Sequence, residues 1–422
     1  MWNVIRCSHQ GQFEAYLERS KSVLLDVRLH DLQPRLLEAL IPHTSRLAAL
    51  TVRVSDSSDL DRIARRLRNP IPTLRKFAIV GISGTERLEL PFGIGDDCFM
   101  YVKELELQDV SSFRAPLAFP YVTELTWCVG PHRGGPVHLS RLLDTLEQLP
   151  VLEQVDLVFR TSAIGPSPHV VTLPHVQRMS LCRSGNWKVG IPPVLEFLKL
   201  PKLISLIVDA VPTLPPSFPA LPATSFGEHL PNLAELPEME VYARGETGRV
   251  SFRSPSQAVL EYRGVARPLG DMPYPYRHDR RLWGGLSLHS VRRLIVTLDK
   301  WEDEWEDGIE EVWLVCLLRD LRSLEHLELE GYCGGTVRWL RRQMMRGKII
   351  LGIKTLTVRS GAYEIRQTMR LKEVADGLGL EIIVTCVPGP EVSDTEGQIP
   401  DADGLSEDWD LSDDGEGDDG SS

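Results

Sequence analysis

The chain has 422 residues, of which 42% are hydrophobic, so most of it carries enough apolar side chain to fold. Its formal net charge is −12, yet residues 391–422 hold 13 Asp and Glu and no Lys or Arg, which leaves 46 acidic and 47 basic residues in the remainder. That near-neutral remainder lacks the basic excess typical of nucleic-acid binders, so nucleic acid is not favoured as a partner.

One short apolar pattern recurs along the chain: an apolar residue, two variable residues, Leu or a similar residue, one variable residue and another apolar residue. Clear copies occupy 102–107 and 122–127. The central residues of the copies are Leu25, Leu50, Phe77, Leu105, Leu125, Val155, Met179, Leu206, Leu294, Leu327, Leu356 and about Ile383, with weaker candidates at Leu236 and Leu260. The 13 intervals cover 358 residues, so the mean spacing of about 27.5 residues is typical of leucine-rich repeats.

The residues between copies fit crossover connections, because two parallel strands need a dozen or more residues between them. Apolar residues at helical spacing predict helices over 137–149, 309–321 and 339–345. We therefore expect residues 1–390 to form an α/β leucine-rich-repeat solenoid, or horseshoe, with one parallel strand per repeat and helical or irregular returns. The alternative is an ordinary α/β domain, which rarely has twelve or more strands at near-constant spacing. Proline-rich and glycine-rich segments predict irregular loops within 211–290.

The N-terminal segment adds a family resemblance. The runs MWNVI (1–5), YLERSK (16–21), LDV (25–27) and LIPHTSRL (40–47) resemble the segment that follows the F-box in the fungal family of F-box/leucine-rich-repeat-like proteins, best over residues 1–54. In that family the F-box docks onto the adaptor subunit of a cullin ubiquitin ligase, and the repeats bind the target. The F-box itself is missing here, since Trp2 stands where its final Leu-Trp would be. The resemblance thus implies a target-binding module, with the ligase adaptor as a partner only if an F-box is encoded upstream.

Polar residues alternate with the inward apolar residues and predict a surface that binds another protein. The alternative is a set of hydrated positions without a partner. The candidate binding residues on the strands are Glu104, Glu106, Glu124, Asp156, Arg178, Arg293, His326 and Glu328.

Two aromatic clusters are further candidates. Tyr274, Tyr276, Arg281 and Trp283 lie in a basic loop that packs on the repeats, contacts a protein or stacks on single-stranded nucleic acid. Trp301 and Trp305 stand one helical turn apart among acids, which favours either the N-terminus of a helix or a site for a basic partner.

No catalytic or phosphate-binding motif is present, and the spacing of Cys128, His132 and His138 matches no established zinc pattern. We expect no cofactor, no metal and no catalysis, with an unknown protein as partner. An enzyme with its site in the 211–290 loops is a less favoured alternative.

Cysteine usage and hydropathy predict the compartment. The seven cysteines are widely spaced without a Cys-x-x-Cys pair, which favours free thiols in a reducing cytoplasm or nucleus. The N-terminus reaches Arg6 too early for a signal peptide, and no apolar run approaches the 18 residues of a membrane span.

The tail, 391–422, is predicted to be disordered because it combines high charge with few apolar residues. Leu405, Trp409 and Leu411 interrupt its acids, as in acidic-hydrophobic interaction segments, although a purely solubilising tail is the alternative. A scaffold that binds basic proteins through this tail is a second hypothesis for function.

Overall fold

The computed structural model describes residues 4–7, 9–30, 33–67, 69–82, 88–90, 99–113, 119–128, 139–159, 169–183, 193–209, 226–233, 235–244, 247–254, 257–263, 288–298, 317–318, 321–331, 333–346, 352–360, 362–377 and 383–388. Its strands, in chain order, are β1 (Val4–Cys7), β2 (Leu25–Leu29), β3 (Leu47–Val54), β4 (Lys76–Gly81), β5 (Leu88–Leu90), β6 (Glu104–Gln108), β7 (Val110–Phe113), β8 (Glu124–Cys128), β9 (Gln154–Phe159), β10 (Val171–Thr172), β11 (Arg178–Arg183), β12 (Leu198–Lys199), β13 (Ser205–Asp209), β14 (Glu238–Arg244), β15 (Thr247–Arg253), β16 (Val259–Arg263), β17 (Arg293–Leu298), β18 (His326–Gly331), β19 (Thr355–Ser360) and β20 (Ile383–Pro388). The α-helices are α1 (Gln10–Arg19), α2 (Pro34–Leu40), α3 (Ser57–Arg66), α4 (Leu139–Glu147), α5 (Phe226–His229), α6 (Gly334–Met345) and α7 (Ala362–Gly377), and short 3-10 turns lie at Ile41–Arg46, Pro193–Phe197, Pro231–Leu233 and Leu288–Ser290.

One open sheet of 16 strands organises the protein. Its strand order is β1-β2-β3-β4-β6-β8-β9-β11-β13-β16-β15-β14-β17-β18-β19-β20. Most neighbours pair in parallel and in register, so that the first residues of successive strands form a row; one such row is Lys76, Glu104, Glu124, Gln154, Arg178 and Ser205. This confirms the prediction of an α/β protein with a long, mostly parallel sheet.

The core lies along one side of this sheet. In most strands the second and fourth residues point inward, as Leu105 and Leu107 do at 1% exposure or less, whereas in β2 the first, third and fifth residues are buried. The inward residues join in one continuous apolar cluster that extends from Ile5 to Ala375. Each repeat of the motif therefore buries its apolar residues against the copies before and after it.

A tight turn precedes many strands and sets where each one begins. The backbone N–H of Val102 donates to the carbonyl of Phe99 at 3.1 Å, and the N–H of Leu324 donates to that of Leu321 at 3.2 Å. The same bond forms at residues 71–74, 119–122, 149–152, 200–203, 230–233 and 288–291. The apolar residue that opens the turn is buried in each case. The repeated motif thus extends three residues further upstream than the six-residue pattern indicates.

The expectation of an entirely parallel sheet was wrong at the centre. The candidate at Leu260 is in register with Leu206 and lies in β16, but Leu236 lies two residues before β14, where Met239 occupies the position equivalent to Leu294. Between β14 and β16 lies β15, which pairs antiparallel with both. Chain length explains the change, because two residues separate β14 from β15 and five separate β15 from β16. Such connections suit hairpins and are too short for parallel crossovers.

Three smaller features were not predicted. The sheet begins one strand before Leu25, with β1 pairing parallel to β2. Two short parallel pairs, β5 with β7 and β10 with β12, lie outside the main sheet. The buried Trp127 links the main sheet to β7, because its indole N–H donates to the Val110 carbonyl at 2.8 Å.

Two of the predicted helices are confirmed, since α4 covers most of 137–149 and α6 covers 339–345. Most of the predicted helix at 309–321 lies outside the described residues. So do residues 211–225 and 264–287 of the predicted loops and the whole tail.

Candidate protein-binding surface

From β6 onward, the side of the sheet opposite the core carries the first, third and fifth residues of each strand of the main sheet, and we call this side the polar face; on β2 it carries Asp26 and Arg28 instead. Because side chains alternate between the two sides of a strand, these positions all point away from the core. Most described side chains on this face are exposed or half-buried. The face is continuous across the sheet, since the strands pair in register.

Four carboxylates lie on the adjacent strands β6, β8 and β9, and we call them the acidic strip: Glu104, Glu106, Glu124 and Asp156. Glu104 and Glu124 are direct cross-strand partners, and like charges in that arrangement repel. Lys76 of β4 lies 3.8 Å from the Glu104 carboxylate and 3.2 Å from that of Glu106. Within the part of the chain that the structure describes, neither Glu124 nor Asp156 has an ion-pair partner, although the Gln154 amide donates to Asp156 at 3.1 Å. Among the described residues, the strip thus has four carboxylates and one lysine in contact with them.

Two exposed tyrosines directly precede the first two strands of the acidic strip in the chain. Tyr101 and Tyr121 occupy equivalent positions in the turns before β6 and β8, each three residues ahead of Glu104 or Glu124. Their exposed fractions are 36% and 52%. Sequence reasoning missed this pair, although the extended motif contains the signal: both tyrosines directly precede the valine that closes the turn.

The C-terminal part of the polar face has charges that are paired internally. Arg293 contacts Glu238 at 3.3 Å and Glu328 at 3.1 Å, and Arg359 contacts Glu328 at 2.7 Å. We call these four residues the charge ladder. Burial acts to raise the pKa of Glu328, but hydrogen bonds from Arg293 and Arg359 and the charges of these arginines outweigh it, so the pKa lies below its ordinary value.

The same internal pairing holds on the antiparallel strands. Glu240 of β14 contacts Arg253 at 2.7 Å and Arg249 at 3.4 Å, both on β15. On β16, Arg263 contacts Glu261 at 2.7 Å. The face from β16 to β19 therefore satisfies most of its own charge.

Two half-buried cysteines, Cys128 of β8 and Cys182 of β11, lie on the polar face. Cys128 and Cys182 share a row but are separated by Val158 of β9, and two strand spacings of about 4.8 Å exceed the reach of a disulfide. Burial, together with the nearby Asp109, raises the pKa of the Cys128 thiol, and burial raises that of Cys182. Both are free thiols, and a raised pKa lowers the fraction of each that is thiolate at neutral pH.

All eight predicted strand residues lie on the polar face, but their charged neighbours differ. Glu104, Glu106, Glu124 and Asp156 form the acidic strip, and Arg178 follows on the next strand, where it is exposed. Arg293 and Glu328 belong to the charge ladder, while the ring of His326 lies 2.6 Å from the Thr355 hydroxyl. Six candidates lie outside the described residues: Tyr274, Tyr276, Arg281, Trp283, Trp301 and Trp305.

Over the described residues, no group of three or more His, Cys, Asp or Glu side chains is arranged to hold a metal ion. No helix in this part of the chain has the length and apolar character to cross a membrane.

No family model and no curated protein matches this chain. The function is therefore argued from the surface itself.

Proposed function

We propose that this chain is a non-catalytic leucine-rich-repeat solenoid that binds another protein through the polar face of its sheet. The observation that supports this most strongly is the contrast within that face. From β16 to β19 the charged residues neutralise one another across strands, whereas the acidic strip keeps four carboxylates beside one lysine. The partner is therefore expected to present basic residues to β6, β8 and β9.

Repulsion within the free protein supports a partner at this place. Glu104 and Glu124 stand directly opposite each other on parallel strands, and like charges in that position are destabilising. An Arg or Lys from a partner, placed between the two carboxylates, would replace repulsion with two attractive contacts. Binding then gains more from this pair than from one isolated carboxylate.

The tyrosines supply the apolar part of the surface. Tyr101 and Tyr121 are exposed on adjacent turns, and tyrosine is enriched among residues that dominate binding energy. An aromatic ring also attracts Arg or Lys over its face, by about 0.5–1 kcal/mol at an exposed site. Tyrosines next to carboxylates thus favour a basic segment over a purely apolar one.

The N-terminal resemblance extends the proposal to the partner's fate. If residues 1–54 belong to the F-box/leucine-rich-repeat-like family and an F-box is encoded upstream, the bound protein is a substrate for ubiquitination. The acidic tail supports a second candidate, a scaffold for basic proteins, because 13 acids lie within 32 residues. Deletion of residues 391–422 would abolish capture in the second case and leave it intact in the first.

Peptide selection on the full chain tests the proposal. A library of random peptides displayed on phage is selected against the wild-type protein and against the triple variant Glu104→Gln, Glu124→Gln, Asp156→Asn. We expect enriched peptides to be rich in Arg and Lys and to bind the triple variant at least tenfold more weakly in a direct titration.

A matched control removes three exposed acids elsewhere: Glu14→Gln, Glu196→Gln and Glu373→Gln, which lie outside the polar face. This variant changes the net charge equally and should keep the wild-type affinity. Equal loss in both variants would mean that only bulk charge matters. Enriched peptides that ignore the acidic strip would refute the assignment of this surface.

A further inference from the structure

The last two helices concentrate the positive charge of the folded part. Residues 334–377 contain ten Lys and Arg against three Asp and Glu, whereas the rest of the chain before 391 holds 37 basic and 43 acidic residues. Positive charge is thus localised in the segment that includes α6 and α7, which pack against each other.

The arrangement of these charges is unfavourable in isolation. Arg338, Arg342 and Arg346 repeat at intervals of four residues along α6 and its C-terminal cap, and Arg366 and Arg370 do so on α7. Like charges at this spacing face each other on a helix and destabilise it by about 0.2–0.5 kcal/mol per pair. Among the residues that the structure describes, none of these five arginines has an ion-pair partner. We call the five, together with Arg341 and Lys372, the basic helix surface.

The chain itself supplies a complementary segment at this end of the molecule. The final strand β20 contacts α7 and ends at Pro388, and the acidic tail begins within three residues of that point. The charged stripe from Arg338 to Arg346 spans about 12 Å at 1.5 Å per helical residue. The 32-residue tail exceeds that length several-fold at about 3.3 Å per extended residue. The position where the tail begins, its length and its negative charge all suit the basic helix surface.

We propose that the acidic tail, residues 391–422, binds the basic helix surface of its own molecule. The tail carries 13 negative charges and no positive charge, so it can neutralise both arginine stripes without changing the fold. Tethering keeps the tail at a high local concentration, which makes weak individual contacts effective. The tail then covers α6 and α7 and is not a free ligand for basic proteins.

Zero-length cross-linking of the full chain tests this directly. A water-soluble carbodiimide joins a carboxylate to an amine only where they touch, and Lys372 offers an exposed amine on α7. At low salt we expect tail peptides linked to Lys372, mapped by mass spectrometry. The yield should fall several-fold at high salt, because exposed charge contacts are screened.

Two matched variants locate the contact. The variant Arg342→Gln, Arg346→Gln, Arg370→Gln should reduce the Lys372 link at least fivefold. The control Arg19→Gln, Arg35→Gln, Arg65→Gln removes the same charge from exposed sites on α1, α2 and α3, beside the opposite end of the sheet, and should leave the link unchanged. Urea unfolding of each variant verifies that it remains folded.

Three results would overturn the proposal. The first is the absence of tail links to Lys372 at low salt. The second is linkage of the tail to Lys76 and Lys103 with equal yield, which would indicate indiscriminate attraction. The third is that links in a mixture of ¹⁴N-labelled and ¹⁵N-labelled protein join two molecules instead of one.

Discussion

Glu328 and Glu124 are both glutamates on the polar face, yet their surroundings are opposite. Glu328 accepts hydrogen bonds from Arg293 at 3.1 Å and from Arg359 at 2.7 Å, and its side chain is only 16% exposed. Glu124 faces Glu104 across the strand pair. The first residue is thus neutralised by two cations, while the second faces a like charge.

This contrast predicts opposite effects of the same substitution. Glu328→Gln removes two charge-assisted bonds and should lower the free energy of unfolding by about 1 kcal/mol, a value reduced because both arginines are half exposed. Glu124→Gln relieves repulsion and should raise it by a few tenths of a kcal/mol, on the order expected for a like-charge pair. Urea unfolding at pH 7 measures both, and a lower stability for Glu124→Gln would contradict the repulsion argument.

The effect of Glu328→Gln should also depend on pH. The pKa of Glu328 is lower in the folded protein than in the unfolded chain, so its contribution is complete above the unfolded pKa and is lost as the pH falls through the folded pKa. The difference between wild type and variant should therefore be constant near neutrality and shrink in acid. A difference that stays constant down to acid pH would show that Glu328 acts through shape and not through charge.

At the scale of single elements, the end of β18 depends on a glycine. Gly331 has φ +84°, and a Cβ added there would lie 2.0 Å from the carbonyl oxygen of Leu298 on β17. Both the left-handed conformation and the close approach exclude a side chain. The β17–β18 pairing can continue to this point only because residue 331 lacks a Cβ.

Gly331→Ala should therefore destabilise the protein by about 2 kcal/mol or more, since strain and displacement of β17 combine. Gly11→Ala is the matched control. Gly11 lies in α1 with nothing within 4 Å of an added Cβ, and alanine there should stabilise by about 0.5–1 kcal/mol. Thermal unfolding of both variants checks the signs. Equal effects would mean that the contact with Leu298 does not constrain the backbone.

The sequence predicts elements best where one repeat of the motif makes one strand. Leu105 and Leu107 predict β6, because two alternating apolar residues that recur at a fixed spacing can be buried only against the equivalent residues of neighbouring strands. The prediction from the motif fails at β15. Val250 and Phe252 also alternate and point inward there, but the direction in which β15 pairs depends on the length of the connections. A search for parallel repeats alone passes over a hairpin, although the two-residue gap after Arg244 is visible in the sequence.

The candidate surface was predictable to the same extent. Alternation places Glu104, Glu124 and Glu328 on one face, and the structure agrees. Whether a carboxylate is neutralised depends on residues from other repeats, as Glu328 depends on Arg293, which lies 35 positions away. Cross-strand neighbours of this kind follow only from the register of the sheet.

At the scale of the whole molecule, each strand of the main sheet pairs only with the strands beside it, and the antiparallel strand β15 joins the two parallel parts. The described strands before 210 reach β17–β20 within the sheet only through β16, β15 and β14. In such arrays, stability is approximately a sum of local terms and of interfaces between neighbours. Loss of a central interface should therefore separate the molecule into two cooperative parts.

Phe252→Ala tests this, because Phe252 is 1% exposed in β15, the strand that joins the two parallel parts. We expect a loss of about 3–5 kcal/mol for a buried Phe and a urea transition that splits into two steps. Hydrogen exchange read by mass spectrometry should then show β2–β13 and β17–β19 losing protection at different urea concentrations.

Leu356→Ala in β19, also 1% exposed, is the control, and it should release only the C-terminal strands because it lies one strand from the edge. If Phe252→Ala instead lowers protection uniformly in every strand, the sheet unfolds as a single unit, and contacts beyond the strand pairing must join its two ends.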